Sequence, residues 1–180
     1  LLASSAASDV YKRQYLDGRE IGFHEFYERV RSGELATTSA VNVGQFEDAM
    51  SAVLAGGRDI LCICFSSALS TTYQSAGIAA ESVRARYPEG RIRVIDSLSA
   101  SLGQGLLMYL TARKKLREAP TMDELGDWVE ANKLHICHWF TVDDLDFLKR
   151  GGRISPTIAW IGGKLKIKPV LRIAEDGTLA

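Results

Sequence analysis

No charge of either sign dominates this chain. Its 22 lysines and arginines are matched by 22 aspartates and glutamates. The broad basic footprint of a nucleic-acid-binding domain or a polybasic membrane contact is therefore missing. No apolar run approaches the roughly 20 residues that a membrane helix needs, so stable membrane insertion is not expected. Three cysteines, Cys62, Cys64 and Cys137, are an odd number and too few for a disulfide framework. A reducing, cytoplasmic setting is expected instead. Also absent are a Gly-rich phosphate loop with its lysine, a G-x-S-x-G elbow and a dinucleotide fingerprint after a strand. The opening LLASSAASDVYKRQ lacks the basic n-region and apolar core of a signal peptide, and it has no period. Residues 1–14 are expected to be a foreign leader or an erroneous translation rather than native fold.

What remains is a globular composition. With 46% hydrophobic and 24% charged residues over 180 positions, a packed core is expected and disorder is not. Helical spacing predicts a short helix over 23–32 and a longer one over 43–54. The second carries Phe46, Met50, Val53 and Leu54 on one face, with Asn42 as its cap and Gly56-Gly57 as its stop. The run DILCICF (59–65) reads as a buried strand. A helix over 71–85 turns Ala76, Ala79, Ala80 and Val83 inward, and RIRVID (91–96) is a second strand. Ser99 is expected to cap a helix in which Leu102, Leu106, Tyr109, Leu110 and Arg113 follow helical spacing.

Further on, Thr121 and Glu124 form a capping box ahead of Leu125, Trp128 and Val129. Residues 135–142 (HICHWFTV) read as a third strand. Asp143 or Asp144 caps a helix that ends at Gly151. Ser155-Pro156 starts another, with Gly162-Gly163 as its stop. Residues 167–173 read as a strand, followed by a hairpin turn at Glu175-Asp176-Gly177. Strands alternating with helices predict an α/β fold, a parallel sheet with helices on both faces. Such sheets bind ligands beyond the carboxyl ends of their strands, where the turns after Phe65 and Ile95 lie.

The turn after Phe65 is rich in hydroxyls: Ser66, Ser67, Ser70, Thr71, Thr72 and Ser75. One of them, Ser70 or Thr71, caps the next helix. Capping does not call for six. A helix N-terminus also offers free N–H groups and partial positive charge to a carboxylate or phosphate. Thr37-Thr38-Ser39 is a second hydroxyl cluster, surplus to the capping that Asn42 provides. Two such turns facing each other would clamp an anion; helix capping alone is the other reading. Arg153, in the Gly-flanked connection KRGGRISP, is placed either to pair with an anion or to sit solvated.

Other candidates are weaker. Cys62 and Cys64 face the same side of their strand, opposite Leu61, Ile63 and Phe65, and read as buried structural thiols. His135, Cys137 and His138 lack a second ligand pair for zinc. The two histidines are expected on opposite strand faces, in the core or an interface. Asp143, Asp144 and Asp146 open a helix, where acids belong anyway.

The blocks TTSAVNVGQF, CFSSALSTTYQSAGIAA, VIDSLSASLGQGLL and FTVDDLDFLKRGGRIS with KIKPVLRI together resemble the DegV family, over about residues 15–180. The family is similar to bacterial fatty-acid-binding proteins that include the acyl-carrying subunit of fatty acid kinase. The resemblance implies two α/β domains: here 15–133, truncated at its start, and 134–180 as the beginning of a second, with the chain a fragment. It implies a long-chain fatty acid whose carboxylate sits at the domain junction and whose tail is buried. Thr38 and Ser70 would hold the carboxylate, with the Thr71 amide beside them and Arg153 near the opening. No cofactor or metal is implied, and the partner is a separate fatty acid kinase catalytic subunit. Two positions depart from the family pattern: no proline follows Thr38-Ser39, and Thr71 stands where the family has glycine. A C-terminal histidine that the family places near the carboxylate is absent.

Two functional expectations follow. The first is a non-catalytic carrier that presents a bound fatty acid to the kinase. The second is an enzyme acting on a small carboxylated or phosphorylated metabolite, with Ser70 as nucleophile.

Overall fold

A computed structural model describes residues 6–8, 14–16, 20–155 and 168–180. Its centre is a pair of parallel strands, β4 (Ile60–Cys64) and β5 (Ile92–Asp96), with Ile60 opposite Ile92 and Cys64 opposite Asp96. The pleat sorts their side chains to two faces. Ile60, Cys62, Cys64, Ile92 and Val94 meet α2 (Val43–Ala55) and α3 (Thr72–Arg86), whose Phe46, Met50, Leu54, Ala76, Ala79, Ala80 and Val83 are buried there. Leu61, Ile63 and Ile95 meet Leu107 of α4 (Ser101–Glu118) and Trp128 and Val129 of α5 (Met122–Asn132). Helices thus cover both faces of a parallel sheet, as the alternation of elements predicts.

The helix ends follow local chemistry. Asn42 and Gln45 exchange hydrogen bonds at the start of α2 (2.9 and 3.0 Å), and Thr121 and Glu124 do the same at α5. Each pair satisfies N–H groups that the first helical turn leaves free. Small Ala76, Ala79 and Ala80, each at most 1% exposed, let α3 lie close on the sheet.

A three-stranded antiparallel sheet precedes this unit: β1 (Ala6–Ser8) runs between β2 (Gln14–Leu16) and β3 (Thr37–Ser39), with α1 (Phe23–Arg31) between β2 and β3 in sequence. Thr37–Ser39 is therefore a strand rather than a turn. A smaller unit follows α5. β6 (Trp139–Thr141) pairs antiparallel with β7 (Val170–Arg172), and α6 (Asp146–Arg150) lies between them in sequence. Leu145 and Leu171 form its core with Phe140, Val142, Leu148 and Ile154. The hairpin beyond β7 closes through Ala174 N to Thr178 O (2.9 Å), around Gly177 at φ +82°.

Three expectations are corrected. Ser99 does not cap α4: Ala100 holds the N-cap position, and the Ser99 amide instead donates to Ser97 Oγ at 3.1 Å. The strand expected over 135–142 shrinks to Trp139–Thr141, because the chain leaves α5 through a 3-10 turn, Lys133–His135, closed by Ile136 N to Lys133 O. His135 is consequently an exposed turn residue rather than a strand residue facing the core. On α4, Leu102 and Tyr109 are exposed, while Gly103, Gln104, Leu107 and Thr111 form the buried face. The helix expected from Ser155-Pro156 to Gly162-Gly163 lies outside the described residues. Among the described residues, no helix is long and apolar enough to cross a membrane.

Candidate functional site

The carboxyl ends of β4 and β5 open into two turns, and one carboxylate organises both. Asp96 accepts from Ser67 N (3.2 and 3.3 Å) and from Leu98 N (3.0 Å). Ser66 N donates to Ser99 O at 2.9 Å, and Ser97 N to Cys64 O at 3.1 Å. The hydroxyl-rich segment is thus held as one shaped rim above the sheet.

The six hydroxyls do different things. Ser66 is fully buried and donates to Gly177 O at 2.8 Å, tying the rim to the C-terminal hairpin. Ser70 Oγ accepts from Thr72 N at 3.3 Å and shares a 2.8 Å hydrogen bond with Thr72 Oγ1. It supplies the cap at α3, since Thr71, in the N-cap position, makes no side-chain cap. Among the described residues, the hydrogen-bond partners of Ser70 Oγ are thus a hydroxyl and an amide, not an imidazole or carboxylate that would take its proton.

A cavity of about 1100 Å³ lies against this rim. Thr38, Ser70, Thr71 and Arg153, the four residues singled out from the sequence, all line it. Thr38 comes from β3, Ser70 and Thr71 from the β4–α3 turn, and Arg153 from the connection after α6. Arg153 Nε donates to Leu69 O at 3.1 Å, and its Nη1 donates to Gly151 O, so the guanidinium bridges the small unit to the hydroxyl-rich turn. The rest of the wall is largely apolar: Val41, Phe46, Phe65, Leu102, Phe140 and Leu148 contribute to it. A polar edge over an apolar chamber suits a ligand with an anionic head and a greasy body.

The acidic cluster takes no part. Asp144 Oδ1 accepts from Asp146 N at 2.8 Å to start α6, and Asp143 pairs with Lys168 at 2.7 Å, which holds its carboxyl below the usual range.

Sequence reasoning passed over His138 and Gln104 as cavity residues. Gln104 is buried on α4 and donates to Ile63 O at 3.1 Å. His138 lies against Gly103, where any Cβ would stand 2.5 Å from the ring. Its Nε2 is shielded and has no hydrogen-bond partner among the described residues, and desolvation holds the imidazole below its ordinary pKa. The one signal for His138 in the sequence was Gly103, the third residue of α4, where the absent side chain leaves room for the ring.

Comparison with known proteins places these features in a wider set. A family model described as that of uncharacterised proteins of the DegV family matches residues 9–180. A DegV domain-containing protein of Clostridium perfringens is 45% identical over 168 residues, covering 92% of this chain and 57% of that protein. Among solved structures, a fatty acid (stearic acid)-binding protein from Eubacterium ventriosum aligns with a TM-score of 0.88 at 28% identity, over 98% of this chain and 60% of the other. A DegV family protein from Thermus thermophilus, described for its fatty acid binding, aligns with a TM-score of 0.82 at 30% identity, over the same shares. The chain spans less than two thirds of the length of each.

Proposed function

Because the chain belongs to the DegV family, we propose that its cavity binds a long-chain fatty acid, with the carboxylate at the hydroxyl-rich rim and the acyl chain in the apolar chamber. The observation that carries this is the meeting of Thr38, Ser70, Thr71 and Arg153, from three separate segments, on one cavity whose remaining wall is mostly apolar. The solved relatives that bind fatty acids support it.

The energetics agree. Each buried methylene contributes roughly 0.8 kcal/mol, so a tail of about 14 gives roughly 11 kcal/mol before ordering costs. The tail supplies affinity. The head must be hydrogen-bonded, because an unpaired buried carboxylate is costly. Hydroxyls of Thr38 and Ser70 and the amide of Thr71, at the positive end of α3, meet that need. Arg153 adds a cation at the edge.

In this reading the protein is a carrier. It presents the carboxylate to a separate fatty acid kinase subunit, which forms the acyl phosphate. The resemblance of its motifs to the acyl-carrying subunit supports that step.

Native mass spectrometry of the gently purified protein tests the binding. A co-purifying mass that releases a C16–C18 fatty acid on denaturation is expected. Repeated recovery of protein without an acyl chain, together with no uptake of added palmitate, would refute the reading.

A further inference from the structure

The apolar wall of the cavity is interrupted by a polar side chain that the fold uses at one end only. Gln104 lines the chamber and is 9% exposed. Its amide nitrogen donates to Ile63 O at 3.1 Å. A carbonyl oxygen can only accept, so that bond fixes which end of the amide is which. Oε1 is the end left over, and it has no hydrogen-bond partner among the described residues. His138 lines the same chamber, its ring set against Gly103, the residue before Gln104 on α4. The side chains of Ile63, Phe65, Leu102 and Phe140, also in this wall, are hydrocarbon. A plain acyl chain laid over Gln104 excludes water from Oε1 and puts nothing in its place, and an acceptor buried without a partner is costly.

We propose that Gln104 makes the chamber selective for a hydroxy fatty acid, whose chain hydroxyl donates a hydrogen bond to Gln104 Oε1. The proposal rests on the fatty-acid reading of the cavity and names the class of chain within it. The chemistry of the free end narrows that class. An amide oxygen takes hydrogen bonds and gives none. A keto, epoxy or ether oxygen on the chain would face it as a second acceptor, and a double bond brings no donor. An ammonium could donate, but a charge in an apolar chamber is costly. A hydroxyl donates and is neutral. Its oxygen can also accept, and the imidazole of His138, kept neutral by desolvation and so carrying one N–H, stands in the same wall. A buried polar group left unpaired discriminates against the ligand that lacks its partner far more sharply than a missing methylene does.

The test titrates the full 180-residue chain, freed of co-purifying lipid, in a calorimeter. The probes are stearate, hydroxystearates with the hydroxyl near the head, at mid-chain and toward the tail, and the methyl ether of each. At least one hydroxystearate should bind about tenfold more tightly than stearate, the worth of one buried hydrogen bond. Its methyl ether keeps the oxygen and loses the donor, so it should fall back to the affinity of stearate or below. Gln104→Met keeps the length of the side chain without the amide, and should bring the ratio of the hydroxystearate and stearate affinities to about one. The alcohol, ether and stearate series uses the parent protein, so it decides the matter even if that variant unfolds. Stearate bound as tightly as every hydroxystearate, an ether as good as its alcohol, or a ratio unmoved in a folded Gln104→Met variant overturns the proposal. In each of those outcomes stearate still binds, and the carrier reading stands. Uptake of neither stearate nor any hydroxystearate overturns both.

Discussion

The hydroxyl of Ser66 donates to the carbonyl of Gly177 at 2.8 Å, joining positions 111 residues apart. Ser66 is fully buried and Gly177 nearly so, with φ +82°. A Cβ at Gly177 would stand 2.3 Å from Ser66 Oγ. The rim of the cavity and the C-terminal hairpin therefore fit only when this glycine is present. Ser66→Ala should lower stability by about 1–3 kcal/mol, since a buried carbonyl loses its donor. Gly177→Ala should cost more, because it adds a left-handed backbone penalty to the clash. Urea denaturation midpoints measure both.

A second close approach makes a reciprocal prediction. Gly103→Ala places a methyl 2.5 Å from His138 Nδ1 and 2.8 Å from its Cγ. A planar ring has little room to yield, so a loss of about 1–3 kcal/mol is expected, as for other overpacked sites. His138→Ala should relieve the clash, leaving the double variant more stable than the sum of the two single losses implies. Thermal melting of all four proteins closes that cycle.

His138 also sets a pH dependence. Desolvation lowers its pKa in the folded state. The unfolded chain then binds the proton more readily between the folded value and the ordinary ~6.5, so stability rises with pH across that window. The His138 contribution is fully present above ~6.5 and declines as the pH falls below it. Urea unfolding from pH 5 to 8 should show this slope, and His138→Phe should flatten it. An unchanged slope in that variant would assign the effect elsewhere.

How far the sequence could be read shows in particular residues. Asn42 with Gln45, and Thr121 with Glu124, were legible because capping is local chemistry within four residues. The shared face of Cys62 and Cys64 was legible because a strand alternates. The buried face of α4 was not. Spacing drew attention to Leu102, Leu106 and Tyr109, yet Gln104 and Thr111 go inside. Gln104 reaches Ile63 O, and Thr111 Oγ1 bonds Leu107 O at 2.7 Å on its own helix. A polar residue whose hydrogen bonds are met can be buried, and those partners lie outside any local pattern. The cavity residues themselves were visible as surplus hydroxyls. That they share one cavity depends on β3, which pairs with β1 instead of standing as a turn.

The head-group reading separates cleanly at Thr38 and Ser70, because the two differ in what else they do. Ser70 Oγ is engaged at the start of α3, accepting from Thr72 N and bonding Thr72 Oγ1. Thr38 lies on an exposed strand and its hydroxyl has no hydrogen bond among the described residues. Thr38→Val keeps shape and β propensity while removing the hydroxyl. It should weaken fatty-acid binding about tenfold, the loss of one hydrogen bond to a charged group, and leave the melting temperature unchanged. Ser70→Ala should weaken binding similarly and also destabilise the protein by about 1 kcal/mol through the lost cap. Calorimetric titration with palmitate, paired with thermal melts, reads both quantities. If both variants bind palmitate as tightly as the parent and only Ser70→Ala shifts the melt, the hydroxyls are caps and the carboxylate is held elsewhere.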